Sequence, residues 1–411
     1  MPLALIATPV PQAGPEQPDG AAAVLRAALH RGPLARSAIS RETGLSPASV
    51  SRHAAELLAL GLVHEPPPPA RQPPRPGRPR VPLDIDTAHH LAAGVHIAAP
   101  RLTFSLTDLR GRVVAQEQGP RQAEAPDVLR DIARHLPGFL ARHATGRSVL
   151  GLGVVTGGWV DPDAGTLVEN AALGWRDVPL RAVLARRIRL PIHIDSHARA
   201  LARAETLFGA ARHGDLVHLF VGNVVDAAIA AGGSLLRGRR NRAGGIAHLP
   251  VPGSRQVCPC GRTGCLQATV SDRTLAERAA RGRIIPRPEL GLLLDAARGG
   301  DADALELCRE RLRLLAHAVG LLLDMIGPDV LVLTEAVTTY LPELLAELHH
   351  ELGPGAEQVV LAGSFGTQAL AVAAGAPVLA SVHQDPLALR TSGSYFHTVT
   401  NHCPPGHITA G

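Results

Sequence analysis

The 411-residue chain contains no lysine, so all 41 of its Lys/Arg side chains are arginine. That absence excludes a Walker-type phosphate loop, whose lysine reaches the terminal phosphates. Aromatic residues are scarce as well, at 2%. Alanine, leucine and valine must therefore fill the core, and 45% hydrophobic residues supply enough of them. No apolar run approaches the roughly 18 residues of a membrane span, so no membrane partner is expected. The N-terminus lacks the basic start of a signal peptide and soon turns proline-rich; residues 1–20 read as a disordered tail. Cysteines number only five, and three of them crowd into eight residues. That usage fits a reducing cytoplasm.

Charge is unevenly spread. The formal net charge is +5, yet residues 21–80 alone carry nine arginines against three glutamates, leaving the rest close to neutral. A basic N-terminal module on a neutral body points to a polyanionic partner for that module. Within it, an apolar stripe at Val24, Leu25, Ala28 and Leu29 predicts a helix stopped by Gly32-Pro33. A second short helix covers Ser37 to Thr43 and closes on Gly44. Ser46 is a good N-cap with Pro47 behind it, opening a third helix that runs to about Leu60. Short helix, glycine turn and capped helix form a helix-turn-helix over residues 21–65. Val50, Ala54, Leu57 and Leu58 would face its core. Ser46, Ser49, Ser51, Arg52 and His53 would face outward, toward the major groove of double-stranded DNA. Residues 66–82 are proline- and arginine-rich, a stiff wing and linker whose Arg71, Arg75, Arg78 and Arg80 suit phosphate or the minor groove. The plainer alternative is a helical bundle used for dimerisation.

From Leu91 the pattern turns α/β. Strands are predicted at Leu91–Ile97, Leu102–Asp108, Arg112–Glu117, Val149–Val155, Ile192–Asp195, Leu216–Val221, Ala227–Ala231 and Val330–Thr334. Helices are predicted at Val128–Ala144 and at about 272–282, 288–299, 301–326, 341–352 and 364–374.

The most specific motif is Ala243 to Gln267, which holds His248, Cys258, Cys260 and Cys265. Imidazole and thiolate are the preferred ligands of Zn²⁺, four of them mark a closed structural site, and Gly261 and Gly264 permit the turns that wrapping a metal requires. This stretch resembles the zinc loop of the ROK family (repressor, open reading frame, kinase), with Ala247 and Gln267 in place of a glycine and a glutamate. Thr43-Gly44-Leu45-Ser46-Pro47 and Gly77-Arg78-Pro79 likewise resemble the winged helix of ROK repressors. The resemblance implies an N-terminal winged helix-turn-helix followed by a two-lobed, actin-like α/β fold. Its lobes would span residues 83–192 and 193–382, with a C-terminal helix returning to the first lobe, and residues 383–411 would form a disordered tail.

Set beside the kinases of that family, the chain departs at each phosphate-handling position. The first glycine-rich hairpin falls on His96-Ile97-Ala98-Ala99-Pro100 and the second on Asn223-Val224-Val225-Asp226. The catalytic aspartate falls on His197, and the adenine-side glycines fall on Thr334-Glu335. Positions that hold sugar hydroxyls in the family are Ser196, His197, Gly245, His248 and Gln267 here, with only His248 unchanged. No catalytic residue is expected. Glu169, Asn170, Ser196, His197, Arg199 and Gln267 are the candidates for a different pocket between the lobes, with an acidic ligand for Arg199; ordinary turn and surface roles are the alternative. The resemblance implies a cytoplasmic transcriptional regulator, by default a repressor of carbohydrate-related genes. It would act as a homodimer or tetramer, with one structural zinc and a sugar or sugar-derived effector. A kinase rebuilt around His197, or a ligand-independent DNA-binding scaffold, are the competing readings.

Overall fold

The computed structural model describes residues 19–67, 81–99, 101–212 and 214–390. The first module comprises α1 (Gly20–Arg31), β1 (Leu34–Ala35), α2 (Arg36–Thr43), α3 (Pro47–Ala59), β2 (Val63–His64) and β3 (Pro82–Ile85). Gly44 ends α2 at φ 71°, a left-handed turn that glycine adopts without strain. The Ser46 side chain then caps α3 by accepting from the Ser49 amide. The three strands pair antiparallel with β3 in the centre. Pro82–Ile85 therefore closes the winged sheet and does not open the first lobe: Leu83 and Ile85 are buried in the same cluster as Val24, Leu25, Val50 and Leu57.

The body begins with β4 (His90–Ile97), β5 (Arg101–Thr107), β6 (Val113–Pro120), α4 (Ala125–His143) and β7 (Ser148–Thr156). There follow β8 (Trp159–Asp161), β9 (Thr166–Asn170), β10 (Trp175–Val178), α5 (Leu180–Ala185) and β11 (Ile192–Ser196). The main sheet runs β11-β7-β4-β5-β6, while β8, β9 and β10 form a small sheet of their own. β4 is buried along its whole length and reads as an apolar run; β6, at the edge, alternates between half-buried and exposed. Strand β11 belongs to this sheet, so the first lobe extends past residue 192.

After α6 (His197–Phe208) come β12 (Leu216–Val221), β13 (Val225–Ala231), β14 (Ser234–Leu235), α7 (Leu266–Val270), α8 (Asp272–Arg281), α9 (Leu290–Arg298) and α10 (Ala302–Ile326). The second lobe ends with β15 (Val330–Glu335), α11 (Ala336–Tyr340), α12 (Leu345–Leu352), α13 (Ala356–Val359) and β16 (Val360–Ala362). Its sheet runs β14-β13-β12-β15-β16. Both large sheets thus share one plan: a three-stranded antiparallel meander, with two parallel strands added beside its first strand. That repeat is the two-lobed, actin-like α/β architecture anticipated above.

The last helix, α14 (Ala369–Gln384), is later and longer than predicted. It crosses β4 and β7 so closely that a Cβ at Gly153 would lie 2.0 Å from the Ala374 carbonyl oxygen. Val378, Leu379 and Val382 on the same helix enter the core of the winged module. The described chain continues through Pro386–Arg390, and Arg390 reaches Glu56 of α3 at 3.4 Å, so an ordered segment extends beyond residue 382. No helix of the described residues is long and apolar enough to cross a membrane.

Candidate functional site

Three places collect the residues singled out by the sequence. On α3, Ser46, Ser51 and Arg52 are exposed and Ser49 is half-buried. The serine hydroxyls are locally engaged: Ser46 caps the helix and contacts Ser49 Oγ at 3.0 Å, while Ser51 donates to the Pro47 carbonyl at 2.9 Å. Arg52 is therefore the long, charged side chain at the exposed face. His53 differs from expectation. It is buried against the start of α1, where a Cβ on Gly20 would meet its ring at 2.4 Å, and its Nδ1 contacts Glu56 at 3.0 Å. That contact keeps the Glu56 carboxyl below its ordinary pKa, and it makes His53 part of the packing rather than the exposed face. Arg71, Arg75, Arg78 and Arg80 lie outside the described residues.

The cysteine loop closes on itself. Ligand atoms of His248, Cys258, Cys260 and Cys265 all lie within 4.8 Å of one another. His248 Nδ1 is 3.7 Å from Cys258 Sγ, and Cys260 Sγ is 3.7 Å from Cys265 Sγ. A tetrahedral ion with bonds of about 2.3 Å to sulfur and about 2.0 Å to nitrogen requires edges of about 3.6–3.8 Å. Gly261 (φ 86°) and Gly264 (φ 78°) take left-handed turns on either side of Arg262-Thr263. The donor set and spacing can hold a metal ion.

Between the lobes lies a cavity of about 400 Å³. Five of the six predicted cleft residues line it, Glu169, Asn170, Ser196, Arg199 and Gln267, but most are already occupied. Asn170 donates to the Gly157 carbonyl and accepts from the Leu173 amide. Ser196 caps α6 by accepting from the Arg199 amide, and Gln267 accepts from the Val225 amide. Arg199 is buried and spent on Asp195 (2.6 Å), the Asn241 carbonyl (2.7 Å) and the Val160 carbonyl (2.8 Å). It braces the cleft, with three of its five N–H donors on these partners. His197 is absent from the wall; it sits behind it, its ring 4.0 Å from that of Phe220 and 5.8 Å from that of His96. A residue unnamed by the sequence reading, Arg242, does line the cavity, its guanidinium 4.7 Å from the Trp159 ring centroid. The only sequence signal for it is the arginine run Arg239-Arg240-Asn241-Arg242.

The positions that the resemblance sets at the phosphate hairpins are knitted together. Asn223 Nδ2 donates across the lobes to the Ala99 carbonyl at 3.2 Å, and Asp226 accepts from the Gly158 amide at 3.0 Å. Burial lowers the pKa of His96 to about 4 and of His218 to about 3, lowers His197 well below its ordinary value, and raises Asp226 to about 6. Glu335 caps α11 through the Val337 and Thr338 amides and lies 3.7 Å from the buried Arg311, which also holds Asp272 at 2.8 Å. Pro100 lies outside the described residues.

Comparison with known proteins agrees with this geometry. The family model described as "ROK family" matches residues 92–368. A transcriptional regulator of Mycobacterium tuberculosis is 34% identical, over 92% of this chain and 89% of that protein. The DNA-binding transcriptional dual regulator NagC of Escherichia coli is 26% identical, over 77% of this chain and 80% of its own length. Among solved structures, a ROK family transcriptional regulator described as a homologue of the Escherichia coli MLC protein superposes with a TM-score of 0.71. It is 22% identical and covers 90% of this chain and 97% of its own. The chain belongs to the ROK family.

Proposed function

We propose that the chain is a DNA-binding transcriptional regulator, by default a repressor of carbohydrate-related genes, and that it performs no phosphoryl transfer. The observation that carries this reading is the exposed, serine-capped helix α3 presenting Arg52, on a module that shares a core with the body. Such a helix suits the major groove, and two copies in a dimer or tetramer would read paired half-sites in double-stranded operator DNA. The relatives named as transcriptional regulators support the reading. The cluster of three thiols and one imidazole suits Zn²⁺ in a structural role, ordering the loop that forms one wall of the cavity. A sugar or sugar-derived effector in that cavity would shift the balance of lobe arrangements and so the operator affinity.

A kinase rebuilt on His197 is disfavoured by the geometry. A general base must reach the proton it removes, yet this ring lies behind the cavity wall, and neither of its nitrogens has a hydrogen-bond partner among the described residues. The direct Asn223–Ala99 bond joins the hairpins that would flank ATP phosphates.

The test is a genomic-fragment pull-down with the purified protein, then gel shifts on enriched fragments across a salt series. A paired-half-site operator whose binding is weakened steeply by salt and lost in Arg52→Ala is the expected outcome. Weak, sequence-blind binding overturns the reading. Sugar-dependent ADP release abolished by His197→Ala would reinstate the kinase.

A further inference from the structure

We propose that His53, Glu56 and Arg390 are positioning residues for Arg52, forming a chain of contacts that runs from the C-terminal segment to the arginine offered to DNA. The inference rests on the reading of α3 as the DNA-reading helix. Arg52 Nη2 contacts His53 Nε2 at 3.3 Å, His53 Nδ1 contacts Glu56 Oε2 at 3.0 Å, and Glu56 Oε1 accepts from Arg390 Nη1 at 3.4 Å. The partners fix the tautomer of the ring. Facing a carboxylate, Nδ1 carries the proton; facing a guanidinium, which can only donate, Nε2 is the bare nitrogen. Each polar atom along the chain thus meets its complement.

Both ends of the chain are anchored by packing. His53 is buried against the first turn of α1, where a Cβ on Gly20 would come within 2.4 Å of Nε2. Arg390 ends the segment Pro386–Arg390 that follows α14. Pro386 is buried there, and Leu389 packs against the core that α14 shares with the winged module. The cation that completes the chain therefore comes from 334 residues beyond Glu56.

Spacing along α3 shows what the arrangement achieves. Glu56 stands four residues after Arg52, the separation at which a carboxylate and a guanidinium pair across one helical turn. A direct pair would draw Arg52 down onto the helix and take up the donors that a guanine edge requires. Among the described residues these two form no ion pair: His53 stands between them on one carboxylate oxygen, and Arg390 takes the other. Arg52 spends one N–H on His53 and keeps four, enough for a bidentate contact with a base. An arginine oriented in advance also loses less rotamer freedom on binding.

The experiment measures the affinity of the full-length protein for an enriched operator fragment and for a shuffled fragment of equal length, by gel shift across a salt series. Each variant is checked for an unchanged melting temperature. Glu56→Ala removes a negative charge near DNA, so charge alone would tighten binding; we expect operator binding about three- to tenfold weaker, with the shuffled fragment bound no more weakly. Arg390→Ala should cost the operator about two- to fivefold, and Arg390→Lys should restore it. In the Arg52→Ala background, at salt low enough to measure residual binding, neither substitution should cost anything further. Tighter operator binding by Glu56→Ala, or losses that persist undiminished without Arg52, overturns the inference. A salt slope smaller by about one in Arg390→Ala makes that residue a phosphate contact and overturns its positioning role. Arg390 is exposed, so its variants decide the matter if Glu56→Ala melts lower. An operator preference lost in Arg52→Ala but untouched in the Glu56 and Arg390 variants overturns this inference alone. A wild-type protein with no preference for operator over shuffled DNA overturns the DNA-reading role of α3 as well.

Discussion

Three imidazoles and a carboxyl enclosed at the lobe seam give the molecule a marked acid sensitivity. In the unfolded chain each imidazole takes a proton near pH 6.5. In the folded protein burial holds His96 back to about 4 and His218 to about 3, and shifts His197 in the same direction. Between those values the unfolded chain binds more protons, so stability falls as pH drops below about 6.5. Asp226 works the other way, because its folded carboxyl takes a proton at about 6 while an unfolded one waits until near 3.9. Three groups outweigh one, and stability should fall by roughly 1–3 kcal/mol per pH unit between about pH 6 and 4.5. Urea midpoints at stepped pH would measure this, and His218→Gln should flatten the slope; a flat profile for the wild type would contradict it. At this scale the sequence was partly legible. The four metal-ligand candidates stand together because their spacing in the chain is also their spacing in space. The fates of His53, Asn170 and Arg199 were hidden, since a polar side chain in a sequence gives no sign that a neighbouring carbonyl or carboxylate will claim it.

Among the elements, α3 and the cysteine loop can be tested separately. Ser46→Ala removes the N-cap and should cost about 1 kcal/mol in stability, seen as a lower urea midpoint with α3 otherwise intact. A strong chelator should lower the melting temperature and expose Cys258, Cys260 and Cys265 to a thiol reagent, while Cys308, buried on α10, stays protected. Equal reactivity with and without the chelator would argue against a bound metal. The apolar pattern located the one-sided helices α1, α2, α3 and α10 and the short, buried, apolar strands β4, β5 and β7, all within a few residues of their predicted places. It failed in three other elements. In α6, eight of twelve residues are buried, and three of these, His197, Arg199 and Glu205, are polar or charged and interrupt the apolar side. Helix α14 is small and apolar all round and contains Pro377, which reads as a stop although the helix continues. Strand β3 follows a proline- and arginine-rich run whose composition hides the return of the chain to the sheet.

Across the whole molecule, the winged module is fastened to the body. Arg110 donates to the Leu29 carbonyl at 3.0 Å and pairs with Asp84, and the His90 ring contacts the Leu60 carbonyl at 2.7 Å. Arg110→Ala should therefore destabilise the protein by about 1–3 kcal/mol and split its calorimetric transition, with the winged module melting first. A single transition at the wild-type temperature would mean that the apolar core alone joins the two. Gly153→Ala tests the other side of the same helix. Its new Cβ would strike the backbone of α14, and a loss of about 1–3 kcal/mol is expected by thermal or urea unfolding.

The shared helix also dictates the order in which the protein can mature. Val24, Leu25 and Leu57 leave the ribosome more than three hundred residues ahead of Val378, Leu379 and Val382, which belong to the same cluster. Until α14 emerges, the winged module of a nascent chain keeps apolar surface uncovered and open to chaperones. A message cut short ahead of α14 would yield chains in which α3 has been made but its supporting core has not, and such chains are better suited to degradation than to function.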